Sequence, residues 1–224
     1  MSGDSEGRSM KDNNPGEKST KEQIMYAAID LFSQKGYDAV SIREIARAVG
    51  IRESSIYNHY KGKEDLMESI ISFFLTELSK PDADDVSMEA LLEKYGPEKY
   101  MVIAGKAYME RFRDVRLEKV WRLISVELYR NKKVREFFKT TMVGYALSAW
   151  EQTFRKMIEL GYIREYDPRI LAKEFFNYCV YLYFEYFFLR YDEMSFQEFI
   201  DSVMNDLDDH IKFMFEALKI KEAA

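Results

Sequence analysis

The stretch SIREIARAVGIRESSIYNHYKGKEDL, residues 41–66, reads as two short helices joined by a glycine turn. Ser41 followed by Glu44 is a capping box, in which each side chain satisfies a backbone N–H of the other's turn. Ile42, Ile45, Ala46 and Val49 then recur on one helical face. Gly50 supplies the positive φ that a tight turn needs, and Ala46 is small where two helix axes must cross. A second short helix, from about Glu53 to Tyr60, is anchored by Ile51 and Ile56 and broken at Gly62. Small residue, glycine and isoleucine at these offsets are what a helix-turn-helix requires mechanically. The local charge over residues 41–63 is basic: Arg43, Arg47, Arg52, Lys61 and Lys63 face only Glu44 and Glu53, within a chain of net charge −6. Tyr57, Asn58, His59 and Tyr60 add hydrogen-bonding groups beside that charge. A local basic patch on a short polar helix is the footprint of a small DNA reader. Taken alone, residues 41–60 read equally well as two packed helices with ordinary surface charge.

Outward from this stretch the pattern stays helical. A helix capped at Ser19 or Thr20 carries Ile24, Ala27, Ala28, Leu31 and Phe32 on one face and ends at Lys35-Gly36. A fourth helix starts near Lys63 and carries Leu66, Ile70, Phe73, Phe74 and Leu78, with Pro81 and the acidic residues 82–85 as its stop. Further helices are expected at about 87–95, 97–112, 115–130, 133–160, 168–190 and 196–218, set by Gly96-Pro97, Gly161, Asp167-Pro168 and Ser195. Residues 1–18 are polar and aperiodic and are expected to be a disordered tail. The expected division is 1–18, a helix-turn-helix domain over 19–64, and a helical domain over 65–224.

Composition excludes several alternatives. The 10 glycines and 4 prolines are too few for the many turns of an all-β chain of 224 residues. Singly placed glycines offer no phosphate-cradling loop. One cysteine and 2 histidines argue against a disulfide framework and a zinc site, so no metal and no cofactor is expected. No Ser/His/Asp or paired-carboxylate arrangement suggests an enzyme. The strongest apolar run, Phe175 to Phe184, is too short to span a bilayer, which takes about 20 residues. A soluble cytoplasmic protein is expected.

The continuation Tyr57-x-His59-Tyr60-Lys61-x-Lys63-Glu64-x-Leu66, with Ser41 to Gly50 and the Phe32-x-x-x-Gly36-Tyr37 helix end, resembles the N-terminal domain of the TetR family of bacterial transcriptional regulators. The resemblance covers roughly residues 20–75. It departs from the family pattern at Ser54, often Gly or another small residue, and at Tyr60, usually Phe; both departures bear on DNA preference. It implies an all-α protein with a three-helix DNA-binding domain joined to a helical bundle. It also implies a homodimer that binds a pseudo-palindromic double-stranded operator, most simply as a repressor released by a small effector. The alternative is a DNA-binding protein with no small effector, controlled by a protein partner or acting architecturally. Tyr57 and His59 look like the family's backbone-contacting pair. The chemistry adds Ser41, Lys61 and Lys63 as phosphate contacts. As base readers it adds Arg43 for guanine, Asn58 for adenine and Glu53 for cytosine, Glu53 reading equally as a helix-start charge. Arg52, Ser54 and Ser55 complete the expected DNA-binding set.

The family implies dimerisation through the last two long helices, for which Phe199, Val203, Leu207 and Ile211 are the expected contacts. The 16 Phe, 16 Tyr and 2 Trp favour an apolar or aromatic effector. Gly105 and Gly144, inside helical patterns, either leave room for that ligand or let helices approach. Glu185 lies among Tyr178, Tyr181, Leu182, Phe188 and Leu189 at helical spacings. It is solvent-reaching, ion-paired, or part of a pocket for a cationic or hydrogen-bonding aromatic ligand with Trp121, Tyr145 and Tyr178. Cys179 reads as a small core residue, and His210 as an interface or surface position.

Overall fold

The computed structural model describes residues 18–80 and 86–219. Residues 1–17 of the expected tail, and the expected stop of the fourth helix at 81–85, lie outside them. Ten α-helices and no strand occur among the described residues. They are α1 (Thr20–Lys35), α2 (Ile42–Val49), α3 (Glu53–Tyr57), α4 (Lys63–Leu78), α5 (Met88–Glu110), α6 (Val115–Glu127), α7 (Lys132–Phe137), α8 (Tyr145–Glu159), α9 (Pro168–Phe184) and α10 (Phe196–Leu218).

Local chemistry sets the ends. Ser19, Ser41 and Ser195 each form a reciprocal capping box with a glutamate three residues on. Asp114 and Asp167 cap α6 and α9. Gly50 closes α2 in the left-handed region, at φ 76 and ψ 26, where a side chain at Cβ would be strained. Gly96, at φ 77 and ψ 168, breaks α5 into two runs, so Pro97 does open a helical segment.

The expected helix over 133–160 is not continuous. Between α7 and α8, residues Phe138–Gly144 form a π-helical segment. There the Thr140 hydroxyl donates to the Glu136 carbonyl at 2.7 Å, competing for an acceptor of the regular ladder. A second π segment, Glu185–Arg190, extends α9.

Two hydrophobic clusters hold the chain together. One runs from Ile24, Phe32, Ile45, Ile56 and Phe74 in the first four helices through Val120 and Leu123 of α6 to Tyr186, Phe196 and Phe199. The other gathers Leu92, Met101, Phe154, Phe175 and Ile211. Helix α6 lies alongside α1 with matching polarity: Arg116 donates to the Tyr26 hydroxyl at 2.8 Å, and Lys119 pairs with Asp30 at 2.6 Å. Beyond the end of α1, the buried Glu127 accepts from the Tyr37 backbone N–H at 3.0 Å.

The expected dimer contacts need correcting. Phe199, Val203, Leu207 and Ile211 are all buried, at 6%, 4%, 5% and 0% exposure, against the chain's own helices. Phe199 stacks on Tyr186 with ring centroids 4.3 Å apart. Leu207 fills the space left by Gly105, where a Cβ would come within 2.6 Å of the leucine Cδ2. Gly105 therefore serves close helix approach. A 3.6-residue apolar stripe shows that a helix face is buried without saying which neighbour covers it. On the last two helices the exposed apolar side chains include Phe213 of α10 and, as a cluster, Val180, Tyr181, Phe184, Phe188 and Leu189 along α9 and its π extension.

Candidate nucleic-acid interface

Helix α3 is five residues long and is held from below. Ile56 is fully buried, and Tyr60 is 3% exposed with its hydroxyl donating to the Lys21 carbonyl at 2.9 Å. The hydroxyl that distinguishes Tyr60 from phenylalanine thus ties α1 to the end of the motif and does not face outward. With these anchors in place, Arg52, Glu53, Ser54, Tyr57, Asn58 and His59 are exposed together, and Ser55 is half-buried. Arg43 and Arg47 project from α2 beside them, both exposed. Among the described residues, no carboxylate lies within ion-pair distance of Arg43, Arg47, Arg52 or Lys61, whereas Glu44 is neutralised by Lys35 at 3.2 Å. The surface therefore carries uncompensated positive charge on an acidic chain, which attracts a polyanion locally.

Two expected phosphate contacts are already engaged. The Ser41 hydroxyl donates to the Glu44 carboxylate at 3.1 Å, and the Ser41 N–H donates to the same carboxylate at 2.9 Å. These bonds, with Lys35, hold the Glu44 pKa down at about 2. A hydroxyl has one proton to give, so Ser41 acts here as a helix cap. Lys63 is half-buried: its ammonium donates to the Tyr37 carbonyl at 2.6 Å and lies 4.3 Å from the centre of the Tyr37 ring. Lys61 remains exposed with no partner for its ammonium among the described residues, its backbone N–H donating to Asp65 at 2.8 Å.

Tyr37 is consequently held at both ends of its backbone, by Lys63 of α4 and by Glu127 of α6. Glu127 is 3% exposed. No motif marked it, because its partner is a backbone N–H in a turn ninety positions away.

The four candidate effector residues have different packing partners, although Glu185 is near enough to Tyr178 to help raise its pKa. Trp121 is packed between Phe112 and Tyr183, and Tyr178 stacks on His210 at 4.0 Å. Tyr145 is 76% exposed on α8. Glu185 is ion-paired with Arg190 at 3.2 Å, so the paired reading is the one the geometry bears out. A cleft of about 250 Å³ opens elsewhere, lined by Arg164, Ile170, Glu174, His210 and Phe213 among others. Burial pushes the Cys179 thiol up to about 12, as for an unreactive packed cysteine. No helix among the described residues is long and apolar enough to cross a membrane.

Residues 24–70 match the family profile of the bacterial regulatory proteins of the tetR family. Among characterised relatives, the chain is 34% identical over 77 residues to the biofilm operon icaADBC negative transcriptional regulator IcaR of Staphylococcus epidermidis. That alignment takes in 33% of this chain and 42% of the relative. It is 33% identical over 67 residues to the transcriptional repressor KstR2 of Rhodococcus jostii, covering 30% of this chain and 33% of that one. These matches span less than half the length of the relatives. Solved structures extend the likeness in fold. The fatty acid degradation regulator FadR from Bacillus halodurans superposes with a TM-score of 0.63 at 18% identity, over 87% of this chain and 96% of its own. The SmeT–triclosan complex does so with a TM-score of 0.63 at 20% identity, over 87% and 91%. Residues 24–70 thus carry the N-terminal domain of the tetR family of bacterial regulatory proteins, and the described chain shares the all-helical fold of solved TetR-family regulators.

Proposed function

We propose that the chain is a dimeric regulator that reads a pseudo-palindromic operator and is released from it by a small molecule, acting as a repressor. The carrying observation is the exposed, uncompensated basic and polar surface of α2 and α3, set on the buried anchors Ile56 and Tyr60. The DNA-binding unit is residues 19–64, with 65–224 as the effector and dimerisation part. Tyr57, His59 and Lys61 hold phosphates, while Arg43 and Asn58 read base edges; Arg52, Glu53, Ser54 and Ser55 lie within reach of the same groove. Ser41 and Lys63 support this surface through Glu44 and Tyr37. One short helix reads few bases, and a two-fold dimer doubles the site. The dimer face is the uncovered stripe of Val180, Tyr181, Phe184 and Phe188. Repression is supported by the negative-regulator and repressor names of IcaR and KstR2, and an effector by the triclosan complex of SmeT.

The test is selection of binding sites from a random duplex pool by the full chain, followed by salt titration on the enriched site. Lys61→Ala should weaken binding to every sequence alike and reduce the salt slope by roughly one unit. Arg43→Ala should lose about 1–3 kcal/mol of discrimination at one position. A pool that enriches no sequence would refute operator reading.

A further inference from the structure

Trp121 stands near the middle of α6 at 9% exposure. Its indole Nε1–H is shut off from solvent and has no hydrogen-bond acceptor within reach among the described residues. A buried donor left unmade is a standing cost that native cores rarely keep without a use. The ring is enclosed by aromatic faces and edges: Phe112 stacked at 4.2 Å, and Tyr183 and Phe187 edge-on at 5.4 and 5.5 Å.

One polar pair lies in the same shell. The Ser125 hydroxyl donates to the Trp121 carbonyl at 2.8 Å and lies 2.5 Å from the Tyr183 hydroxyl. Serine has a single proton, and it is spent on that carbonyl, so Tyr183 must be the donor of the short contact. Burial pushes the Tyr183 pKa up to about 12, so the proton stays on at neutral pH. Both hydroxyls of that pair are thereby assigned, and the Trp121 N–H is left without an acceptor among the described residues.

The surroundings are also those that can move. Phe138, 6.0 Å from the Tyr183 ring, begins one π segment, and Phe187 lies within the other. π turns are rare and concentrate at functional sites. Each holds an extra residue, and tightening to α geometry re-aims the rings beyond it. The nearby carboxylate Glu185 is satisfied by Arg190 and offers no free charge to a cation.

We infer that the effector enters between the two π segments onto Trp121 and is a neutral aromatic molecule bearing a hydrogen-bond acceptor, which takes the Trp121 Nε1–H. This deepens the effector reading above, rests on it, and keeps the hydrogen-bonding aromatic alternative while dropping the cationic one.

Acetophenone and cumene are close in size, and acetophenone carries a carbonyl oxygen where cumene carries a methyl group and a hydrogen, so only acetophenone offers an acceptor. Calorimetry on the full chain should show acetophenone binding at least tenfold more tightly than cumene. In 15N-labelled protein the Trp121 indole cross-peak should move downfield with acetophenone and not with cumene. Trp121→Phe keeps a ring and removes the donor, and should reduce the preference to within twofold. Equal binding of both probes, an unmoved indole cross-peak, or binding of neither would overturn the inference, and the indole measurement decides the matter even if the variant fails to fold. DNA binding by the same preparations is measured alongside. Intact sequence-selective binding with no acetophenone preference removes this ligand class alone, whereas loss of both removes the regulator reading.

Discussion

Replacing Glu127 with leucine separates two opposing effects at the junction of α1 and α6. The carboxylate is 3% exposed and accepts from the Tyr37 N–H at 3.0 Å. Keeping a charge there has a desolvation cost, and apolar replacement of a buried ion can be neutral or stabilising. Against that, leucine leaves the Tyr37 N–H buried with no acceptor, which costs about 1–3 kcal/mol. The second effect should win, because the N–H belongs to a turn fixed from its other side by Lys63 and cannot swing to water. Glu127→Gln keeps an oxygen in place and loses only the charge assistance, about half of the bond. Leucine should therefore cost about 2 kcal/mol and glutamine about 1 or less. For a chain of this size, 2 kcal/mol lowers Tm by about 4–8 °C. Thermal unfolding gives the totals, and hydrogen exchange at the Tyr37 amide localises the effect. A leucine variant as stable as the glutamine variant, with Tyr37 exchange unchanged, would refute the reasoning.

Phe184→Glu combined with Tyr181→Glu should give folded monomers by sizing with an unchanged helical circular dichroism signal, whereas Phe199→Glu should unfold the chain, since Phe199 is buried on Tyr186. Gly105→Ala would ordinarily stabilise a helix by about 1 kcal/mol. Here the added Cβ meets Leu207 Cδ2 at 2.6 Å, and overpacking costs about 1–3 kcal/mol, so denaturant unfolding should show a net loss. Glu44 is held down at about 2, chiefly by the Ser41 N–H and then by Lys35. Its folded value lies below the ordinary 4.5, so its contribution is complete above 4.5 and fades as pH falls toward 2. Carboxyl NMR should place its midpoint near 2, and Lys35→Ala should raise it. His210 is shifted the other way relative to its charge: burial lowers its pKa despite Glu174. Acidification below about 6.5 should then cost stability that His210→Phe does not lose, read by melting temperature against pH.

The elements legible in the sequence are those with a local cause. Ser41-x-x-Glu44 and Ser195-x-x-Glu198 announce their helices because the cap is made within one turn. Gly50 and Gly96 announce breaks because their backbones lie at positive φ. The exposure of Tyr57, Asn58 and His59 follows from the burial of Ile56 and Tyr60 at helical spacing. What stayed hidden depends on partners distant in the chain. The stripe through Phe199 and Val203 is equally apolar whether a second copy or the chain's own α5 and α9 cover it. Lys63 carries the same charge whether it faces a phosphate or the Tyr37 carbonyl, and Glu127 looks like any surface glutamate. The π segment at 138–144 keeps the helical apolar rhythm nearly intact, so periodicity passes over it.

The seam between α1 and α6 bears on how such proteins can be recombined. Tyr26, Asp30 and Tyr37 each meet a polar group of α6, at Arg116, Lys119 and Glu127. The apolar cluster crosses the same boundary without interruption. Grafting the first sixty-odd residues onto another bundle of this fold would carry over half of each bond and leave the other half behind. A working chimera has to take the inward side of α6 along with the first three helices, so the exchangeable unit is discontinuous in the chain.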